Sequence, residues 1–324
     1  MRAVLCKAYG AVDDLVVEEV ATRPLEAGEV RVRVAACGVN FPDVLITQGK
    51  YQFKPEPPFS PGGEVAGTVA EIGAEVTGFQ PGDPVIATTI WGGFAEELVT
   101  TPDRLMHRPA TMDEVTAAGF AITYGTSYHA LVQRAAIRPG ETLLVLGASG
   151  GVGVAAIQIA KALGATVIAA ASSADKLAVA GAQGADHLVN YAEDGFRDRL
   201  KEITGGRGVD VVYDPVGGDL LQPSLRSMAW NGRYLVVGFA SGDIPQVPAN
   251  LTLLKGCSVV GVFWGQFRRN EPEVDAANFQ ALFDLHAAGK IAPLVSATYP
   301  LEQAREALTA LSERRVTGKV VLSV

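Results

Sequence analysis

Two textures of apolar and polar positions divide the chain. From the start to about Pro109 the apolar runs are short: LVVEEV, EVRVRVAACGV, EVAGTVAEIG, DPVIATT and FAEELVTT, with Gly, Pro and Asp between many of them. Alternation such as EVRVRVAA puts one face of a strand in a core and the other in water, which predicts a compact all-β unit, an antiparallel sheet or small barrel. From about Ala117 the period changes. A helical pattern leads into TLLVLGA, a helix over 152–163, TVIAAAS, a helix over 175–183, HLVNY, a helix near 196–203 and VDVVYD, and GRYLVVGF and CSVVGVFW add two more strands. Strands alternating with helices predict a doubly wound parallel sheet. Beyond about Phe263 come an amphipathic helix over 275–288 and a last strand, GKVVLSV. That strand has no partner left in a finished parallel sheet, so the tail is expected to return to the first domain. The expected division is a β-rich domain of residues 1–123 and 264–324 and an α/β domain of residues 124–263.

Composition narrows the class. The 324 residues allow two domains of ordinary size, and 27 Lys and Arg against 35 Asp and Glu leave a net charge of -8. No basic run with interleaved aromatics tracks a phosphate backbone, which argues against nucleic acid. Cys6, Cys37 and Cys257 are too few and too scattered for a disulfide framework or a Cys-rich zinc site, and a cytoplasmic protein is expected. The segment nearest to a membrane span, 143–160, holds Gly147, Gly150, Gly151 and Gly153 and ends at Lys161, so no membrane insertion is expected.

Those glycines carry the first chemical signal. LLVLGASGGVGVAAIQIAKALGA sets a Gly-rich turn after an apolar strand and before a helix. Glycine lets backbone N–H groups approach a pyrophosphate, and the positive end of the helix faces it. Gly147, Ser149, Gly150, Gly151, Val152 and Gly153 are the expected cradle. At the end of the next strand, VIAAASSADK offers Ser172, Ser173 and Lys176 and no acid. An acid there would accept the adenosine ribose hydroxyls and repel a 2′-phosphate, so NADPH is favoured over NADH.

With PGGEVAGTV, GASGGVG, CGVNFPDVLITQGKY, GDPV, LKEITGGRGVDVVYDPVGG and TGKVVL in this order, the whole chain resembles the zinc-independent quinone oxidoreductase family of the medium-chain dehydrogenase/reductase superfamily. The resemblance implies a GroES-like catalytic domain and a Rossmann cofactor domain. It also implies a vacated metal site. Zinc alcohol dehydrogenases of this layout carry ligands at the positions of Asn40, Gly63 and a residue near Ile122, none of which can serve as the usual Cys or His. No zinc is expected. Without a Lewis acid, alcohol oxidation is hard, while hydride addition to a quinone or an activated alkene is easier.

By the same resemblance Asn40 is expected on the cofactor or a substrate carbonyl, Asp43 as a residue orienting the loop, and Tyr51 as a proton donor or a pocket wall. Thr126 is expected near the nicotinamide and ribose, and Tyr191 and Arg315 join Lys176 at the 2′-phosphate. Val216 and Gly217 are expected beside the ribose, Phe239 and Ser241 at the next strand end, and Trp264 and Phe267 over the substrate or a subunit contact. His107, His129, His187 and His286 have no ligand spacing and read as structural, with a proton relay kept open for His129. The apolar strand 258–264 is expected at a sheet edge, where pairing with a second copy would give a homodimer. The leading expectation is an NADPH-dependent quinone reductase. An enone or enoyl thioester reductase is the alternative, for which Lys50, Lys54, Arg268 and Arg269 are candidate acyl-CoA contacts, and an NADPH-binding protein without turnover is the alternative of another class.

Overall fold

The computed structural model describes residues 1–324 and divides into two compact units, 1–122 with 293–324, and 123–292. In the first, a seven-stranded sheet is built around Val30–Val39, whose alternating residues are buried and exposed over its first half and wholly buried toward its end. Glu64–Ile72 pairs antiparallel along one side of it, and Lys319–Ser323 joins antiparallel at its C-terminal end, so the tail does return to this unit. The β-rich region also contains a helix, Phe41–Thr47. Pro42 occupies its first turn, and Oδ2 of Asp43 accepts the backbone N–H of Asn40 at 2.7 Å, closing the helix start.

The second unit holds a six-stranded parallel sheet in the order His187–Asn190, Thr166–Ala171, Thr142–Leu146, Val209–Asp214, Met228–Val236 and Ser258–Gly261. The strand order reverses between Thr142–Leu146 and Val209–Asp214, the place where such sheets open a crevice at their C-terminal ends. Thr142–Leu146 is buried throughout, as a central parallel strand must be.

Two expected boundaries are corrected. Residues 264–292 pack in the second unit, because the Trp264 indole lies against Gly125, where an added Cβ would come within 2.7 Å of the ring. Indole Nε1–H also donates to Oδ1 of Asp275 at 2.9 Å, tying Trp264–Asn270 to Pro272–Ala287. The edge strand ends at Gly261, and the chain turns into a helix at Trp264. No helix is long and apolar enough to cross a membrane.

Candidate active site and cofactor cradle

In the second unit the Gly-rich turn is shaped by close approaches. Gly147 has φ +58°, and an added Cβ would lie 2.9 Å from the Val216 side chain. At Gly153 a Cβ would meet the Gly147 carbonyl oxygen at 2.5 Å, so the helix Gly151–Ala162 can start this close to the strand only without a side chain there. A Cβ at Gly150 would have only that oxygen nearby, at 3.5 Å, which leaves the helix start open. The first-turn amides of Gly151, Val152 and Gly153 have no acceptor within the helix and suit a pyrophosphate. Ser149 is buried beside them. Thr126 lies on Ala121–Tyr128, and its neighbour Ser127 donates to the Val152 carbonyl at 3.1 Å, which brings that helix to the cradle.

The adjoining turn hangs on a residue that the sequence reading did not single out. Asp214 ends its strand, and its Oδ1 accepts the N–H groups of Val216 at 2.8 Å and Gly217 at 2.9 Å. Tyr234 O–H donates to Oδ2 at 2.6 Å. Burial raises the Asp214 carboxyl above its ordinary range, against these hydrogen bonds. The Asp-Pro step after an apolar strand was the available sign of such an Asx turn. Gly217 has φ +70° and a Cβ there would lie 2.9 Å from the Phe239 ring, while Ser241 N–H donates to the Val216 carbonyl at 2.9 Å. Gly147, Val216, Gly217, Phe239 and Ser241 are thus brought together at three successive strand ends.

Beyond Thr166–Ala171, Ser173 caps the helix Ala174–Ala182 by accepting the Lys176 N–H at 3.4 Å. Tyr191 N–H donates to the carbonyl of Ala171 at 3.1 Å, which sets that residue beside the same strand end as Ser172. Arg315 belongs to the first unit, where its guanidinium pairs with Glu313 at 2.6 Å on the surface. Trp264 and Phe267 are buried within the second unit rather than lining an open pocket: the indole is fixed by Asp275, and Phe267 stacks on His129 with ring centroids 3.9 Å apart. Arg268 is held on the same carboxylate at 3.0 Å. His129 is buried against Gln133, and burial lowers its pKa, which suits a neutral core histidine.

In the first unit the three positions that would hold zinc surround an ion pair. Glu64, 0% exposed, accepts the Ile122 N–H on Oε1 at 2.8 Å, and on Oε2 both Asn40 Nδ2 at 3.0 Å and Lys319 Nζ at 2.9 Å. Lys319 also donates to Oδ1 of Asn40 at 2.7 Å and to the Val39 carbonyl at 3.1 Å. The second hydrogen on Asn40 Nδ2 goes to the carbonyl of Gly38 at 3.2 Å. Asn40 was expected to reach a cofactor or substrate carbonyl, but both of its N–H groups are engaged inside the unit. The donor set does not fit zinc: it offers a carboxamide, a glycine, an isoleucine and a carboxylate already paired with an ammonium. At Gly63 an added Cβ would lie 3.0 Å from the Thr89 carbonyl oxygen, leaving little room for a larger ligand.

The sequence alone assigns no role to Glu64 or Lys319. Their sign was a lone charge opening an apolar run, in EVAGTV and KVVLSV. Asp43, buried in the same cluster, has its carboxyl pushed up to about 7 by burial, against the Asn40 amide and Lys319. Tyr51 is half-buried, 6.0 Å from the Phe53 ring, and burial followed by the Asp43 charge raises its phenol, so it stays protonated at neutral pH.

Comparison with known proteins agrees with this layout. Residues 26–131 match the family model described as the alcohol dehydrogenase GroES-like domain, and residues 151–280 the one described as zinc-binding dehydrogenase. The chain is 41% identical to quinone oxidoreductase-like protein 2 of Bos taurus, covering 100% of this chain and 92% of that one. It is 39% identical to the homolog from Nematostella vectensis, over 99% and 88%. Among solved structures, the Escherichia coli quinone oxidoreductase complexed with NADPH superposes with a TM-score of 0.93 at 31% identity, covering 100% of both chains.

Proposed function

The chain belongs to the quinone oxidoreductase family, and on that premise we propose that it is an NADPH-dependent reductase that moves hydride to a quinone without zinc. The observation that carries this reading is the contrast between the two units. The second has a built dinucleotide cradle, while the first has an organic ion pair where a catalytic metal would need ligands. NADPH, when bound, supplies the hydride, and a quinone takes it with one proton from the protein or solvent to give a hydroquinone.

The choice of NADPH rests on Ser172, Ser173, Lys176 and Tyr191 at a strand end that carries no acid. The NADPH in the Escherichia coli relative supports it. Tyr51 is the proton donor of the first unit, with a phenol kept protonated by burial and by Asp43. The same donor favours the second reading, reduction of an activated alkene, in which a carbanion or enolate must be protonated.

A homodimer through Ser258–Gly261 belongs to the same proposal. That strand is at the sheet edge, and Leu253 and Leu254, which precede it, and Trp230, on the neighbouring strand Met228–Val236, are exposed at 78%, 68% and 73%. Light scattering on the wild type and on Leu253→Asp/Leu254→Asp tests this, a monomeric wild type being the result against it. A cytoplasmic setting is supported by three free cysteines.

NADPH oxidation by purified protein treated with chelator, with 1,4-benzoquinone and separately with crotonyl-CoA, and with NADH in place of NADPH, tests the function. Quinone turnover preferring NADPH supports it. Crotonyl-CoA turnover alone replaces it with an enoyl thioester reductase, and tight NADPH binding without either turnover replaces it with a binding protein.

A further inference from the structure

An ammonium can only donate hydrogen bonds and a carboxylate can only accept them. Between Lys319 and Glu64 lies the carboxamide of Asn40, which has one end of each kind. Lys319 Nζ faces its Oδ1 at 2.7 Å, and Glu64 Oε2 faces its Nδ2 at 3.0 Å. Rotating the carboxamide by half a turn would set ammonium against NH2 and carboxylate against carbonyl. In a site where Lys319 is 4% and Glu64 0% exposed, water cannot relieve either repulsion. We propose that the Glu64–Lys319 pair is a positioning device for the reductase site, locking Asn40 in one orientation with both N–H groups engaged, so that it meets a ligand only as an acceptor.

The inference rests on the quinone reductase reading and adds a specificity rule to it. The second lone pair of Asn40 Oδ1 is the only hydrogen-bonding capacity left on that side chain, because Nδ2 serves Gly38 and Glu64. The three N–H groups of Lys319 serve Val39, Asn40 and Glu64. Neither residue can therefore donate to a reduced quinone oxygen. Asn40 accepts from an N–H or O–H group, such as a hydroquinone hydroxyl, and the donor in this unit is Tyr51.

The test compares full-length wild type, Lys319→Arg, Lys319→Met and the double variant Glu64→Gln/Lys319→Met. Lys319→Met leaves a buried carboxylate alone and is expected to fold poorly. The double variant removes both charges at similar shape, but the Ile122 N–H holds the carbonyl oxygen of the new carboxamide at the Oε1 position, so its NH2 faces Asn40 and favours the flipped orientation. The expected result is a double variant that melts close to wild type, with kcat for benzoquinone lower by about tenfold or more and KM little changed. Lys319→Arg is expected to keep most of kcat. A double variant with wild-type kcat and KM overturns the inference, since a purely structural pair would be rescued in both respects. Absence of turnover in the wild type overturns the functional reading instead. The inference is then read from the exchange of the Asn40 side-chain amide protons by NMR, the signal assigned with Asn40→Asp. Slow exchange in wild type and fast exchange in the double variant support it, and equal exchange overturns it.

Discussion

Lys319 Nζ lies 2.9 Å from Oε2 of Glu64, across the strand Val30–Val39 that separates their own strands. Glu64 stands opposite Gly38 in one antiparallel ladder, and Val320 stands opposite Val39 in the next, which sets Lys319 level with Asn40, so the Glu64 carboxylate reaches over Gly38 to meet the ammonium beside Asn40. Breaking a buried pair on one side costs more than removing both charges. Lys319→Met is expected to destabilise the protein by about 3–5 kcal/mol. The double variant Glu64→Gln/Lys319→Met is expected to recover most of that, as read by urea unfolding.

Gly38 follows from the same arrangement. A Cβ there would lie 2.0 Å from the Ala118 carbonyl oxygen and 2.7 Å from Glu64 Oε2, and backbone cannot yield as a side-chain tip can. Gly38→Ala is expected to lose at least about 3 kcal/mol or fail to fold. Gly28→Ala, where a Cβ meets nothing within 4 Å, should stay within about 1 kcal/mol of wild type. Thermal melting of the two variants side by side checks this.

The raised Asp43 carboxyl gives the stability a pH dependence. Its folded pKa of about 7 lies above the ordinary value of about 3.9, so the native state holds the proton that the unfolded chain has lost. Lys319 favours the charged form, whereas the Glu64 charge and burial oppose it, and Asp43 in turn acts on Cys37 and Tyr51. The contribution is fully present below about pH 4 and is lost as pH rises through about 7. Wild-type stability relative to Asp43→Asn should therefore fall across that window, with a slope of up to about 1.4 kcal/mol per pH unit. A flat difference in urea unfolding from pH 5 to 8 would contradict it.

Lys176 has no acidic partner and stands one turn from the Ser173 cap. Lys176→Ala is expected to raise KM for NADPH about tenfold while leaving that for NADH unchanged, as loss of one charge-assisted phosphate contact would do. Steady-state kinetics with both cofactors decides it, and a parallel rise for NADH would assign the residue a general structural role.

Tyr51→Phe is expected to lower kcat by about a hundredfold for a crotonyl thioester, if that is turned over, because carbon must be protonated there. With a quinone, whose oxygens can be protonated by solvent, the loss is expected to be smaller. Equal kcat for Phe and Tyr with both acceptors would make Tyr51 a wall of the site and nothing more.

The sequence by itself determined what is local or periodic. Alternation marked the strands of the first unit, strand–helix alternation marked the parallel sheet, and the Gly spacing 147, 150 and 153 marked the cradle, because each depends on neighbours a few residues away. Family motifs identified the metal positions as Asn40, Gly63 and a residue near Ile122, but could not say what replaced the metal. Only the tertiary structure decided that. Lys319 and Glu64 are 255 residues apart, and they meet because two ladders flank one strand. Likewise, Trp264 reads in sequence as an aromatic after a last strand. Its burial against Gly125 and Asp275 follows from helix packing that no run of adjacent residues encodes.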